Sequence, residues 1–418
     1  MNCFYLSAII SPKGVQMEVA KKLVLLILVL MCSMADAQVP KLSANTEISI
    51  ITCAPGQSEV FLAFGHSAIR VYDPEHGIDY VYNYGVFDFN QPNFYLNYTK
   101  GNLLFKLGVY LYPDFLNAYL EDGRWVHEQV LDLSQSHMQA IFKYLEWNAL
   151  PENQTYRYDY FYNNCSSKVR DVFAEVLNDS IKFDGSYITT NYTIRQLTDL
   201  YLTQQPWGDL GIDICLGLPM DKKATPYEYM FLPDYLESGF DHATIRKKEM
   251  WVPIVKTKKP FYPPRPEIVL KSLIHPWVAF GGLLGLTIAI SIYDLRRKKI
   301  SKGFDIVLFG VTGLIGSLLI LLWMATDHQA AAYNFNILWA LPTHLLVFAI
   351  FRVKSASFLR KYFLGVTCLM ALLLITWYFL PQQLPVFLLP FVAALMCRAF
   401  ILSRINGNRV IGNPVTGM

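Results

Sequence analysis

The sequence predicts an exported α+β domain followed by an all-α membrane domain of five spanning helices. Three observations carry that expectation. The N-terminus has the layout of a secretory signal. Strand-like alternation gives way to helical spacing in the segment that follows. Five apolar runs then close the chain, lifting hydrophobic residues to 53% and holding charged residues to 17% of 418. Mean hydropathy is positive. The net charge of +3 is too small to argue for nucleic acid, and no basic stripe interleaves with stacking aromatics, so a nucleic-acid partner is excluded.

Residues 1–37 read as a signal peptide. Lys21 and Lys22 form its positive region, Leu23 to Met31 its apolar core, and Ala35-Asp36-Ala37 a small-x-small cleavage site before Gln38. Met17 is a more natural start than Met1, because MEVAKK leads straight into the apolar core. A lipoprotein signal at Cys32 is the rival reading, but Met31 stands where such a site wants a small side chain.

Residues 38–254 form the exported domain. IRVYD and YVYNYGVFDF alternate β-branched or aromatic residues with polar ones around the turn-rich PEHG. SHMQAIFKYLEWNAL has helical apolar spacing, opened by Ser134 or Ser136 as a cap. KVRDVFAEVLNDS has the same character and begins just after NNCSS. No internal repeat is visible. Residues 255–272, containing KTKKPFYPPRPEIVLK, read as a juxtamembrane linker.

The apolar runs fall at about 273–293, 306–325, 333–351, 362–380 and 384–402, with a tail at 403–418. A buried helical core is the alternative, and five such runs in succession argue against it. Arg296, Arg297, Lys298, Lys299 and Lys302 lie between the first two runs. Arg352, Lys354, Arg360 and Lys361 lie between the third and fourth, and Arg398, Arg404 and Arg409 at the end. The loops TDHQAAAYNFN and LPQQLP carry no lysine or arginine. The basic loops and the C-terminus are therefore expected on the cytoplasmic side and the N-terminal domain outside.

Of seven cysteines, Cys53, Cys165 and Cys215 would lie outside after cleavage, while Cys368 and Cys397 sit in apolar runs. An odd number in an oxidising compartment leaves a thiol over unless it pairs between chains. A Cys53–Cys215 disulfide stays open. No CxxC or Cys/His zinc spacing is present, so no metal site is expected.

Cys165 stands at a loop-to-helix junction in YFYNNCSSKVRD, where Asn164, Ser166 and Ser167 all suit capping. The positive end of a helix dipole lowers a thiol's pKa and favours the nucleophilic thiolate. An inert buried cysteine is the bland reading, and the polar flanks argue against it. A nucleophile needs a base, and the domain offers His66, His76, His127, His137 and His242. His76 sits in a turn and His137 near a helix start. His66, in FGHSAIRV, begins a strand after a glycine, where a rigid element holds the imidazole.

A histidine on an early strand and a cysteine at a later helix start resemble the circularly permuted papain-like fold of NlpC-type hydrolases and lecithin:retinol acyltransferase. There a polar residue on the following strand orients the imidazole. In DYVYNYG this is Asn83, with Tyr82 and Tyr84 as rivals. More closely, the collinear runs ITCAPGQSEVFLAFGHSAIRVYD, YVYNYGVFDF, YRYDYFYNNCSSKVRD and YEYMFLPDYL resemble the Lnb family, and ATDHQAAAYNFNILWALPTHL matches its outward loop. Cys215 has no counterpart in that pattern.

The resemblance implies a papain-like Cys–His domain on the periplasmic side of the bacterial inner membrane, tethered to a helical bundle. It implies lipoprotein N-acylation, with no cofactor. Cys165 would take an acyl chain from a membrane phospholipid as a thioester and pass it to the α-amino group of a lipoprotein's N-terminal diacylglyceryl-cysteine. The family's catalytic pair falls on His66 and Cys165. The Cys165 backbone N–H, Tyr158 and Tyr160 are candidates for the oxyanion, and Asn164, Tyr84 and Arg70 for substrate contacts. In the outward loop, Asp327, His328, Asn334 and Asn336 are either ordinary caps or a ledge for a lipid headgroup, and His344 beside Pro342 is an intramembrane ionisable group. The aromatics from Tyr80 to Tyr112 are strand formers or the wall of an acyl groove. Two readings compete: a cell-wall peptide or lipid hydrolase using the same pair, and a non-catalytic exported sensor on a membrane scaffold.

Overall fold

The N-terminal domain is organised by one long sheet whose strands come early, as the alternating pattern requires. In the computed structural model the described residues are Lys22, 39–87, 90–261, 274–346 and 356–404. Apart from Lys22, the expected signal peptide lies outside them, as do most of the expected linker and the expected tail beyond Arg404.

Strands β1 (Glu47–Cys53), β2 (His66–Asp73) and β3 (Ile78–Val86) form an antiparallel meander, with PEHG as the β2–β3 turn. Helix α1 (Phe94–Lys100) precedes β4 (Leu104–Leu111), and α2 (Tyr112–Glu121) leads to β5 (Val126–Leu131). Helix α3 (Gln135–Ala149), β6 (Thr155–Arg157) and α4 (Cys165–Leu177) follow. A small sheet joins β7 (Ile181–Lys182), β8 (Thr244–Lys247) and β9 (Met250–Pro253). Between β7 and β8 come α5 (Ile194–Leu202), α6 (Pro206–Cys215) and α7 (Pro233–His242). Strand β10 (Val255–Phe261) completes the main sheet in the order β10-β5-β1-β2-β3-β4-β6.

The two faces of the sheet are covered differently. Tyr112 and Phe115 of α2 pack on Ile51, Cys53, Ala68, Val81 and Val126. Fully burying each large apolar side chain contributes roughly 1.5–3 kcal/mol. The opposite face carries Tyr82 and Tyr84, whose hydroxyls donate to Glu146 and Asn148 of α3.

The expected linker is corrected at its start. Val255–Phe261 pairs with β5 as an edge strand, with Lys258 bonded to Asp241 and Lys259 to Glu47. Lysines and a proline are what an edge strand tolerates, and they disguise it as linker.

Among the described residues four helices are long and apolar enough to cross a membrane: Pro276–Arg297 (α8), Lys302–Met324 (α9), Ser357–Phe379 and Val386–Arg404. The third overlaps α10 (Ala356–Thr376) and the fourth contains α11 (Leu389–Arg404). The third expected run departs from regular helix. Its described part holds 3₁₀ turns at Phe335–Leu338 and Pro342–Leu346, and residues 347–355 lie outside the described set. Pro342 removes a backbone donor, which breaks the α-helical ladder. This irregular backbone presses on α9, where a β-carbon at Gly316 would lie 1.6 Å from the Ala340 carbonyl oxygen. Arg398, expected among the basic loop residues, is instead fully buried and ion-paired with Asp294 and Asp305.

Candidate active site

The sequence NNCSS folds as a capping box, and this places the thiol. The Asn164 side chain accepts from the Ser167 N–H at 2.9 Å, and Ser167 Oγ accepts from the Asn164 N–H at 2.7 Å. The Asn164 amide also donates to the Tyr160 and Phe231 carbonyls at 2.9 and 2.8 Å, tying the cap to two loops. Cys165 is therefore the first residue of α4, partly exposed, with its sulfur 3.9 Å from Ser166 Oγ.

His66 heads β2 and meets it from the sheet. Its Nε2 lies 2.5 Å from Asn83 Oδ1. An amide oxygen only accepts, so Nε2 carries the proton and Nδ1 is left to exchange a proton with the thiol. The ring stacks on Tyr119 at 6.3 Å and 14°. Gly85, at φ +94°, lies where a β-carbon would touch Cys165 Cβ at 3.5 Å and His66 Cε1 at 4.0 Å. Positive φ is cheap only for glycine, and here it also keeps the approach to the pair open.

The electrostatics follow. Burial alone would raise the Cys165 thiol. The charge of His66, with hydrogen bonds from His66, the Ser67 backbone N–H and Ser166, outweighs it and brings the thiol down to about 7. For His66, burial favours the neutral ring, but the Cys165 thiolate and the bonds to Cys165 and Asn83 raise it above its ordinary value. The two groups titrate as a coupled thiolate–imidazolium pair.

Tyr158 stands beside them, stacked on Phe105 at 4.1 Å, with its Cε2 3.9 Å from the β-carbon position at Gly85. Burial, then the Cys165 charge, push its hydroxyl well above the ordinary range, so it stays a neutral donor. Tyr160 packs edge-on to Tyr158 and its hydroxyl lies 3.3 Å from that of Tyr98.

Residues 43–199 match the family model described as the Lnb N-terminal periplasmic domain, and residues 268–409 match the one described as the Lnb transmembrane domain. The chain belongs to the Lnb family. No curated protein and no solved structure matches it. It is a membrane-bound protein with a periplasmic domain, and His66, Asn83 and Cys165 all lie within the matched periplasmic segment.

Other expected site residues are placed elsewhere. Tyr82 and Tyr84, the two rivals of Asn83, turn to the opposite face of the Lnb periplasmic sheet. Arg70 is held by Asp79 at 2.7 Å and Glu128 at 3.0 Å, with its guanidinium over Tyr112. Asp327 pairs with Arg157 at 3.1 Å and its N–H donates to the Lys100 carbonyl, while the His328 backbone packs on Gly101.

Asn334 and Asn336 are buried and turned toward α6, not toward lipid. A helix leaves its last carbonyls without intrahelical partners. At the end of α6, Asn334 donates to the Ile214 and Cys215 carbonyls, Asn336 to those of Asp213 and Ile214, and Gln382 to that of Leu216. Arg195 completes this junction by pairing with Asp213 and Asp221 at 2.7 and 3.1 Å. Three carboxylates here, Asp199, Asp209 and Asp213, have oxygens within 4.8 Å of one another and could accept a cation, although Arg195 already supplies a positive charge.

Several residues near the pair carried no local signal. Tyr119 and Arg124 reach it only because α2 crosses the sheet, and their guanidinium-on-ring contact is 4.6 Å. Cys53 is the register partner of His66, buried and free, and burial pushes its thiol far up, so it behaves as a small hydrophobe. Cys215 is also a free thiol.

Proposed function

We propose that this Lnb-family protein is a lipoprotein N-acyltransferase working through a Cys165 thioester. The observation that carries the reading is a partly exposed thiol at a helix start, brought near neutrality by a histidine whose other nitrogen is held by an asparagine. That arrangement suits nucleophilic catalysis and supports a circularly permuted papain-like reading of the domain.

In the first half-reaction the Cys165 thiolate attacks an ester carbonyl of a membrane phospholipid. The Cys165 N–H and the Tyr158 hydroxyl stabilise the oxyanion, a role in which one donor is worth about 10²–10³ in rate. Collapse breaks the C–O bond, and the His66 imidazolium protonates the departing alkoxide, leaving a thioester and a lysolipid. The α-amine of a diacylated lipoprotein, with pKa about 8, then attacks the thioester. His66 takes its proton, the C–S bond breaks and the amide forms. In this reading the site lies on the periplasmic side of the inner membrane and the C-terminus is cytoplasmic. Basic residues cluster before α9 and around the start of α10, and the loops TDHQAAAYNFN and LPQQLP that follow these two helices carry none, which calls for a further crossing between Met324 and Ala356, a fifth span.

Intact-mass spectrometry of the protein in lipid tests this. The expected result is an acyl mass on Cys165 that disappears when diacylated lipopeptide is added, with N-acylated product appearing. Free fatty acid or cleaved muropeptide without that product would indicate a hydrolase. Full cellular function in Cys165→Ser would indicate the non-catalytic sensor.

A further inference from the structure

Beside the dyad, on the face covered by α2, lies a cavity of about 360 Å³ whose walls include Asn83, Tyr110, Asp114, Tyr119, Asp122 and Arg124. That volume falls within the range of small-molecule sites. Asn83 belongs to both places: its oxygen holds His66, and it forms part of the cavity wall.

The charges in this cavity are fixed and opposite. Arg124 is 9% exposed, its Nε donates to the Ala54 carbonyl at 2.7 Å, and its plane rests over the Tyr119 ring. Its two Nη groups make no hydrogen bond to the described residues, so the fork is oriented with its tip free. Asp114 sits in the first turn of α2 and Asp122 at its end, and neither forms an ion pair among the described residues. One guanidinium and two carboxylates between tyrosine faces match a ligand that carries both an anion and a cation. Guanidinium takes phosphate bidentately, and carboxylates with aromatic faces take an ammonium.

We infer that this cavity is the headgroup site for the acyl donor, and that it takes a zwitterionic phosphoethanolamine, with phosphate on Arg124 and ammonium between Asp114 and Asp122. The inference rests on the reading of Cys165 as acylated by a phospholipid. The spatial order agrees with the covalent order of such a lipid. The His66 ring stacks on Tyr119, and the Arg124 guanidinium lies over that same Tyr119 ring. The guanidinium is thus one ring away from the dyad, which suits phosphate, the part of the headgroup that lies next to a phospholipid's ester bonds.

The test uses the full-length protein in micelles containing equal phosphatidylethanolamine and phosphatidylglycerol, with acyl chains of different mass that are swapped between two runs. The acyl mass on Cys165 then reports the donor chosen, as a ratio within one sample that partial unfolding does not alter. Wild type should favour the ethanolamine lipid by about tenfold. The double variant Asp114→Asn, Asp122→Asn should bring that ratio close to one. Arg124→Gln should slow acylation from both lipids. Glycerophosphoethanolamine, the deacylated headgroup, should inhibit wild type more than the double variant. Equal use of the two lipids by wild type, or an unchanged ratio in the double variant, overturns the inference while leaving the thioester mechanism intact. Absence of any acyl mass on Cys165 from either lipid overturns the acyltransferase reading and this one with it.

Discussion

Removing the imidazole should strip Cys165 of its reactivity at neutral pH, and the size of the effect can be worked out. In the wild type the thiol titrates at about 7, so roughly half is thiolate at pH 7. In His66→Ala the burial that raises the thiol remains, and the largest opposing contribution is gone. Only the Ser67 N–H and Ser166 are left to favour the anion. The midpoint should rise at least to the ordinary thiol value of 9.0. About one thiol in a hundred is then ionised at pH 7, a loss of about 50-fold in thiolate. A more basic thiolate is intrinsically the better nucleophile, with a Brønsted slope near 0.4–0.5, so the rate of attack on a small disulfide reagent falls less, by about fivefold to tenfold.

The assay is reaction of the full-length protein with that reagent across pH, with modification at Cys165 resolved by mass. The sign is fixed: wild-type reactivity is full above about pH 7 and is lost as pH falls through that value, and the variant's profile moves to higher pH. A variant with the wild-type midpoint would refute the reasoning. It would mean that the helix terminus alone sets the thiol.

Asn83→Ala should reduce turnover by about tenfold to a hundredfold in a steady-state acyl-transfer assay, since it frees the ring whose Nε2 it holds. Asp199 should make the junction with the membrane helices sensitive to pH. Burial, then the charges of Asp213 and Asp209, raise it to about 8, so the folded state keeps a proton that the unfolded chain releases. Stability is then full below the unfolded carboxylate value of 3.8 and declines as pH rises toward about 8. Asp199→Asn should flatten that decline in thermal melts at several pH values, and an unchanged slope would count against it. The double variant Asn334→Ala, Asn336→Ala leaves buried carbonyls at the end of α6 unsatisfied, at about 1–3 kcal/mol each. It should lower acyl transfer to lipopeptide while leaving the Cys165 titration where it is, and a shifted titration would show that the junction acts on the dyad itself.

The parts of the site legible in the sequence are those built by local chemistry. The cap around Cys165 is written in five consecutive residues, and Asn83 stands at the phase of β3 opposite to Tyr82 and Tyr84. What was not legible depends on which elements meet. Nothing local in YPDFLNAYLEDGRW says that Tyr119 will lie under His66 or that Arg124 will stand over that ring. The third apolar run reads as a span because hydropathy averages over Pro342, Asn334 and Asn336, yet these residues redirect the backbone. Asn334 and Asn336 were visible as unusual polar residues. Their partners, the end carbonyls of α6, lie more than a hundred positions away in the chain.

Those carbonyls bear on the chemistry. A thioester in water is hydrolysed unless the acceptor arrives first, so an acyltransferase gains from a site held at a constant height over the lipid that supplies both substrates. The segment between the two matched Lnb regions contains α6, and α6 is where the domain is fastened. Leu210 and Ile214 enter the apolar core of the membrane helices, Trp207 donates to the Ile274 carbonyl at the head of α8, and the end of the helix is capped by side chains from two membrane loops. A second contact fastens the other side, where Asp327 meets Arg157 and Lys100. Two attachments on different elements resist rotation as well as lift, which a single flexible tether does not. In the proposed reaction Asp327, Asn334 and Asn336 would thus act at a distance, by fixing where the thiol of Cys165 can meet a lipid ester.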